Sequence, residues 1–231
     1  MIVRTFPVAA IILAVTSVVV NAQTAEFQSA LRRGDALVAQ EKYREAIAEY
    51  GKVSSHAGDL YARAIYNTGV CYYELWQTED AINFYKRAIE LKQGNYPRAS
   101  YALGVAWEDQ GRSAEARAAY EQAATASNRT FAPPIYKLGL LEARAGEFTK
   151  AAALFKEAAS RDGEHTAASH NNLGVMLVQL GFMKEAEKEF VIALKASHGR
   201  LADAAHNLNL CRSLTAASFR QDYRTYKMST N

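Results

Sequence analysis

Apolar and small residues recur along this chain with a period of 35 residues. A glycine column consists of Gly34, Gly69, Gly104, Gly139 and Gly174. An alanine column consists of Ala46, Ala81, Ala116, Ala151 and Ala186, and an aromatic column of Tyr50, Tyr85, Tyr120, Phe155 and Phe190. A fourth column is small and consists of Val53, Ala88, Ala123, Ala158 and Ala193. Four columns in phase over five repeats predict a repeat protein.

Each repeat has the pattern of two helices. In the third repeat, an apolar run over residues 101–107 predicts a first helix, and the glycine at 111 and the serine at 113 predict its end and the start of the next. The second helix has its alanine and aromatic residues at helical spacing. A Gly on one helix and an Ala on the other let the backbones approach, and the aromatic ring is expected to fill the space between neighbouring repeats. Because one hairpin cannot bury its apolar face, the hairpins must stack.

Two repeats carry a fuller motif. The fifth contains Asn171-Asn172-Leu173-Gly174, followed by Gly181, Glu185-Ala186, Phe190 and Ala193. The second contains Tyr66-Asn67-Thr68-Gly69, followed by Tyr72-Tyr73, Ala81-Ile82, Tyr85 and Ala88. Both runs resemble the tetratricopeptide repeat, whose usual period is about 34 residues. The resemblance extends over residues 27–214, and it is weakest in the first repeat, where Ala30 and Arg33 replace large apolar residues.

The resemblance implies an all-α fold, a right-handed α-solenoid of antiparallel helix pairs with about five hairpins and a C-terminal capping helix. The solenoid is expected over residues 23–214, and a C-terminal cap or tail over 215–231. Its repeats are expected at 27–60, 62–95, 97–130, 132–165 and 167–200, with a half repeat at 202–214. In the last segment Phe219, Tyr223 and Tyr226 form an apolar stripe flanked by cations. This stripe predicts a cap packed inward, and the alternative is a short basic helix on a membrane.

The N-terminal segment differs from the rest of the chain. Arg4 is the only charged residue before an almost wholly apolar stretch from Pro7 to Val20, and Val20-Asn21-Ala22 has the small-x-small pattern of a cleavage site. These features predict a signal peptide at residues 1–22 and a periplasmic or secreted protein. The chain is therefore expected to be an exported, bacterial tetratricopeptide-repeat protein. Association with a membrane is expected only if the segment is an uncleaved anchor.

Charge and candidate chemistry exclude several functions. The net charge of +3 is spread along the chain without a basic stripe, so no nucleic-acid partner is expected. The five histidines show no metal-ligand spacing, and no nucleophile elbow or phosphate-binding loop is present, so we expect no metal, cofactor or enzyme activity. Cys71 and Cys211 occupy the same position four repeats apart. That register predicts two buried free thiols and no disulfide.

The resemblance also places a partner-binding groove on the first helices. The positions that it implies fall in columns shortly before and after each glycine, and their members are Arg63, Tyr66, Asn67, Val70, Arg98, Tyr101, Val105, Tyr136, Lys137, Leu140, Asn171, Asn172, Val175, His206 and Asn207. The asparagines resemble those that hold the backbone of an extended peptide in some members of the family. The alternative is that the tyrosines and valines only support the inner face.

These features predict a non-catalytic scaffold or adaptor that binds a peptide or protein partner in its concave groove outside the cytoplasm. The expected ligand is an amphipathic helix or an extended peptide with apolar residues. The alternative function is an accessory subunit of an exported enzyme, or of an envelope or secretion assembly.

Overall fold

The computed structural model describes residues 8–161, 163, 165–217 and 227–229, and side chains within residues 22–161, 163, 165–214 and 227–229. Among these residues there are eleven α-helices and no strand. The helices are α1 (Val8–Val38), α2 (Tyr43–Tyr50), α3 (Asp59–Glu74), α4 (Thr78–Leu91), α5 (Pro97–Asp109), α6 (Ser113–Ala126), α7 (Ala132–Arg144), α8 (Phe148–Ala159), α9 (Thr166–Gln179), α10 (Met183–Ala196) and α11 (Ala202–Ala217).

The helices form two compact bodies. The N-terminal body, residues 1–94, contains α1–α4, and the C-terminal body, residues 95–231, contains α5–α11. In the N-terminal body α1 packs on α2, α2 on α3, and α3 on α4. In the C-terminal body every helix from α5 to α10 packs on the one that follows it. Consecutive helices therefore form the predicted hairpins, and α11 begins a sixth.

The glycine column brings the two helices of each hairpin into close contact. A Cβ built at Gly174 lies 2.5 Å from the nearest ring carbon of Phe190, and one built at Gly104 lies 2.4 Å from Tyr120. The other three column glycines meet the ring of their own repeat at 2.3–2.8 Å. All five column alanines and the rings of Tyr120, Phe155 and Phe190 are fully buried. Each ring thus packs against the glycine on the first helix of its own hairpin.

The turns inside the hairpins use a left-handed residue. Gly111, Gly146 and Gly181 have φ of +73°, +78° and +86°, and the same turn position in the first two repeats is taken by Glu41 and Trp76. After Trp76, whose φ is +61°, the Gln77 N–H donates to the Tyr72 carbonyl at 2.9 Å, which is the Schellman pattern of a helix end. A residue with a Cβ is strained in this conformation.

Replacement of Trp76 by glycine is expected to stabilise the N-terminal body by about 0.5–1 kcal/mol. A left-handed φ costs a non-glycine residue about 1–2 kcal/mol. Glycine avoids this cost, but it loses more conformational entropy on folding, which offsets part of the gain. The indole is 92% exposed, so little packing is lost. Urea unfolding measures the effect, and Trp76→Ala is the matched control because it removes the indole but keeps the strained Cβ. A gain of equal size in both variants would assign the effect to the indole.

Both cysteines are buried, as the repeat register predicts. Cys71 lies on α3 and Cys211 on α11, and neither forms a disulfide. Burial raises the pKa of Cys71 to about 11, so its thiol is protonated at neutral pH. The Cys211 thiol donates to the Met183 carbonyl at 3.5 Å.

The predicted signal peptide and the predicted cap lie at the two ends of the chain. Helix α1 is continuous from Val8 to Val38 and so runs through the predicted cleavage position after Ala22. Within the part of the chain that the structure describes, no helix combines the length and apolar character needed to cross a membrane. The predicted apolar stripe of Phe219, Tyr223 and Tyr226 lies outside the described residues.

Candidate functional site

In the N-terminal body, the predicted groove residues of α3 surround an acid that the sequence analysis did not select. Asp35 on α1 accepts from Arg63 Nη2 at 2.5 Å, Asn67 Nδ2 at 2.9 Å and the Tyr50 hydroxyl at 2.8 Å. Arg63 is exposed and Asn67 is half-buried. Val70, together with Asp35, Tyr50 and Asn67, lines a small cavity of about 160 Å³. Two of the predicted binding side chains are therefore engaged within the protein.

In the C-terminal body, Glu108 on α5 has the same role. Its carboxylate accepts from Arg144 Nη1 at 2.6 Å, the Tyr120 hydroxyl at 2.9 Å and Lys137 Nζ at 3.3 Å. Lys137 was predicted to face a partner, and the structure pairs it with this acid. Burial alone would raise the pKa of Glu108, but the hydrogen bonds from Arg144 and Tyr120 and the charge of Lys137 outweigh burial and lower it.

Glu108→Gln is expected to lower the free energy of unfolding at pH 7 by about 1–2 kcal/mol, because hydrogen bonds to a charged group are worth more than neutral ones. The folded pKa of Glu108 is lowered, so its ionised contribution is present above the ordinary glutamate range and disappears as the pH falls through the folded value. The difference between wild type and variant should therefore shrink in acid. The control is Glu115→Gln, which removes an exposed pair with Arg112 and should change nothing measurable. Equal effects of the two substitutions at pH 7 would contradict this assignment.

The other predicted residues of α5 lie at the edge of this network. Tyr101 is half-buried, with its ring centroid 5.8 Å from that of Tyr120 and 5.6 Å from that of Phe131. Val105 is also half-buried, and Arg98 is exposed. Tyr101 and Val105 therefore form a partly apolar surface, and Arg98 adds an exposed cation on the same helix.

The most specific arrangement lies on α7, α9 and α11, the first helices of three successive hairpins. We name the buried side chains of Tyr136, Asn171, Asn172 and Asn207 the asparagine face. The chain's own residues Lys227–Ser229, here called the C-terminal tail, lie against it. The structure thus brings together four of the predicted groove residues around a segment of backbone without helix or strand.

Two asparagines each bind both polar backbone groups of one tail residue. Asn207 Nδ2 donates to the Lys227 carbonyl at 2.7 Å, and the Lys227 N–H donates to Asn207 Oδ1 at 2.9 Å. Asn172 Nδ2 donates to the Ser229 carbonyl at 2.6 Å, and the Ser229 N–H donates to Asn172 Oδ1 at 2.6 Å. An amide side chain has an acceptor oxygen and two N–H donors, so it can pair with both the N–H and the carbonyl of one residue, as a neighbouring strand does.

Asn171 joins the two pairs into one network. Its Nδ2 donates to the Lys227 carbonyl at 3.0 Å and to Ser229 Oγ at 3.1 Å. Its Oδ1 accepts from Asn207 Nδ2 at 3.0 Å, and its Nδ2 also lies 3.1 Å from Asn172 Oδ1. Because buried amide groups without partners are costly, the complete pairing fixes the orientation of all three asparagines.

Tyr136 supplies a further donor. Its hydroxyl donates to the Ser229 carbonyl and accepts from Asn172 Nδ2 at 3.2 Å. Burial raises the pKa of Tyr136 above the ordinary tyrosine value, so the phenol keeps its proton at physiological pH. The ring is stacked on His165, with centroids 4.8 Å apart and planes at 5°. The hydroxyl is therefore held in place by a rigid, buried ring.

The side chains around the tail complete the site. Met228 is half-buried and packs against the apolar cluster of the C-terminal body, which includes the predicted groove residues Leu140 and Val175. Ser229 is 4% exposed, whereas Lys227 and the predicted residue His206 are exposed. A cavity of about 550 Å³ opens beside Ser229, and its lining includes residues 165–168, 196–197 and 200–201. Among the described residues, no cluster of His, Cys, Asp and Glu side chains could hold a metal ion.

A model of one protein family, described as the tetratricopeptide repeat, matches residues 31–96, 92–129 and 136–200, and so most of the chain. The chain belongs to the tetratricopeptide-repeat family. Members of this family are in general non-catalytic scaffolds that bind proteins or peptides. No curated protein matches the chain.

Solved structures of tetratricopeptide-repeat proteins share the fold. MamA from Desulfovibrio magneticus RS-1 has 19% identity and a TM-score of 0.59, over 77% of this chain and 98% of that one. TTC0263 from Thermus thermophilus has 21% identity and a TM-score of 0.54, over 81% and 100%. YrrB, described as having an unusual peptide-binding site, has 19% identity and a TM-score of 0.57, over 77% and 89%. These likenesses confirm the predicted α-solenoid fold class.

Proposed function

We propose that this protein is a non-catalytic interaction scaffold that holds an extended segment of a partner protein on its asparagine face. The observation that supports this function is the paired recognition of backbone by Asn172 and Asn207. They occupy the same position in successive repeats, and each binds the N–H and the carbonyl of one residue, two residues apart along the tail. Such pairing does not depend on the side chains of the bound segment.

The geometry favours an extended peptide over a helix as the ligand. In the interior of an α-helix, the backbone N–H and carbonyl are already bonded to residues four positions away. The asparagine face needs both groups of the same residue to be available, as they are along one edge of an extended strand. A helical partner would leave the polar atoms of Asn172 and Asn207 buried and unsatisfied, at a cost of about 1–3 kcal/mol for each group.

Selection of a random peptide display library tests this function. The bait is the full-length variant Lys227→Pro/Ser229→Pro, because proline has no N–H and so removes both tail donors to the asparagines. We expect the bait to enrich peptides that bind it with measurable affinity. The same peptides should bind poorly once Asn207→Ala is added to the bait.

The matched control is Asn209→Ala in the same bait, since Asn209 is exposed on the same helix α11. The function is wrong if no peptide is enriched, or if enriched peptides bind equally well to baits with and without Asn207→Ala. Turnover of a small-molecule substrate by the purified chain would likewise contradict a non-catalytic role.

We also propose that the protein acts outside the cytoplasm. The support is the order of Arg4, the apolar stretch from Pro7 to Val20 and the small residues Val20 and Ala22. N-terminal sequencing of the protein recovered from its own cells tests the proposal. A mature chain that begins at Gln23 is expected, and a cytoplasmic chain that retains residues 1–22 would contradict export.

A further inference from the structure

The asparagine face already has an occupant, which is the end of the same chain. The tail runs from Asn207 on α11, which binds Lys227, to Asn172 on α9 and Tyr136 on α7, which bind Ser229. It therefore runs opposite to the order of the repeats. Nine residues separate Ala217, the end of α11, from Lys227, and a chain of that length can reach about 30 Å. The connection from α11 is thus long enough for the C-terminal tail to reach the asparagine face of the same chain.

The occupied face shows which side chains it accepts. At Lys227 the backbone is bound and the side chain is exposed, so this position accepts any residue that keeps its N–H, which excludes proline. At Met228 the side chain packs against the apolar cluster of the C-terminal body. At Ser229 the side chain is buried, and its Oγ lies 3.1 Å from Asn171 Nδ2. A residue without a hydroxyl group at this position loses the bond to Asn171.

We propose that Lys227–Ser229 is an intramolecular ligand that closes the asparagine face until a partner displaces it, and that the partner segment shares the tail's chemistry. That segment is extended and has an apolar residue followed by a small, preferably hydroxyl-bearing one. This inference rests on the proposed peptide-binding function and adds both its regulation and its ligand class.

The cavity beside Ser229 offers a partner further contacts next to the asparagine face. Its volume of about 550 Å³ lies within the range of ligand-binding cavities. Its lining includes Leu201, Arg200 and Thr166, and Ser229 forms one wall. Partner residues that follow the small one enter this cavity and add contacts to those of the asparagine face.

A tethered tail competes at a high effective concentration. For a segment tethered within the same chain by about ten residues, we take an effective concentration of about 1 mM. If the free tail peptide binds with a Kd of about 10 μM, the tethered copy weakens binding of an added peptide by about 100-fold. Even a peptide Kd of about 100 μM gives about tenfold protection.

Titration of a fluorescein-labelled peptide, a copy of residues 223–231, tests the inference. The titrated proteins are full-length wild type, Lys227→Pro/Ser229→Pro, and Lys227→Ala. The alanine variant is the matched control, because the exposed side chain is lost while both backbone bonds to Asn207 remain. We expect the proline variant to bind at least about tenfold more tightly than wild type and Lys227→Ala, which should bind alike.

A second arm tests the ligand class. Peptides with Met228→Asp or Ser229→Trp are expected to bind the proline variant at least about tenfold more weakly than the parent peptide, and equal binding would refute the stated chemistry.

Three outcomes would overturn the inference. The first is equal binding of the parent peptide by wild type and the proline variant. The second is failure of the proline variant to bind this peptide although it binds peptides from the display library, in which case the proposed function stands and the tail is not its ligand. The third is a wild-type dimer that the proline substitutions convert to a monomer, which would assign the tail to a second copy. If the proline variant binds neither kind of peptide, the proposed function fails as well.

Discussion

Replacement of both Asn172 and Asn207 by alanine is expected to weaken binding of an extended peptide by at least about 30-fold. The substitutions remove four hydrogen bonds to the ligand backbone, all between 2.6 and 2.9 Å. At a net value of about 0.5–1.5 kcal/mol each, the loss is about 2–6 kcal/mol, and each 1.4 kcal/mol is about tenfold in affinity. Isothermal titration with the peptide 223–231 in the Lys227→Pro/Ser229→Pro background measures the change.

The control for this experiment is Asn209→Ala, an exposed Asn→Ala change two residues from Asn207 on the same helix. It should leave the affinity within about twofold of the background protein. Circular dichroism should show unchanged helicity in all variants, since neither buried asparagine bonds to the backbone of its own helix in the contacts described above. Equal affinities for the double-alanine and Asn209→Ala proteins would show that Asn172 and Asn207 do not contribute to peptide binding.

The second large effect is on stability. Gly174→Ala is expected to lower the free energy of unfolding of the C-terminal body by about 2 kcal/mol. The new Cβ would lie 2.5 Å from one ring carbon of Phe190 and 2.7 Å from another, and the ring is fully buried. Overpacking of this kind costs up to about 3 kcal/mol, and the better helix propensity of alanine offsets about 1 kcal/mol. Urea unfolding measures the difference.

Two further variants isolate the cause. Gly51→Ala is the matched control, because Gly51 has an ordinary helical φ of −62° and a Cβ there comes no closer than 3.4 Å to another atom. We expect it to be neutral or slightly stabilising. The double variant Gly174→Ala/Phe190→Leu should lose less stability than the sum of its single changes, because the smaller side chain relieves the clash. Strict additivity would show that Gly174 is not held against the ring.

The part of the fold that repeats could be predicted from the sequence. The glycine, alanine and aromatic columns each recur in all five repeats. The physical reason is that each hairpin solves the same packing problem, which is a ring of one helix against a glycine of the other. The asparagine face could be predicted in part for the same reason, since Asn172 and Asn207 are separated by one period of 35 residues.

The remaining features occur once and leave no periodic signal. Asp35 takes a position that is Val70, Val105, Leu140 and Val175 in later repeats, and Glu108 is likewise an acid without a repeated counterpart. The sequence therefore does not predict their contacts with Arg63, Asn67 and Lys137. The tail lies outside the repeats altogether. Only its three-dimensional position shows that it pairs with the asparagines.

Amide hydrogen exchange at the tail tests most directly whether the asparagine face binds extended backbone. The measurement uses the full-length wild-type protein, with site resolution at Lys227 and Ser229, whose N–H groups donate to Asn207 and Asn172. We predict exchange at least about tenfold slower than in the free peptide 223–231, and loss of that protection in Asn172→Ala/Asn207→Ala. Exchange of both amides at the free-peptide rate in the wild-type protein would contradict the account.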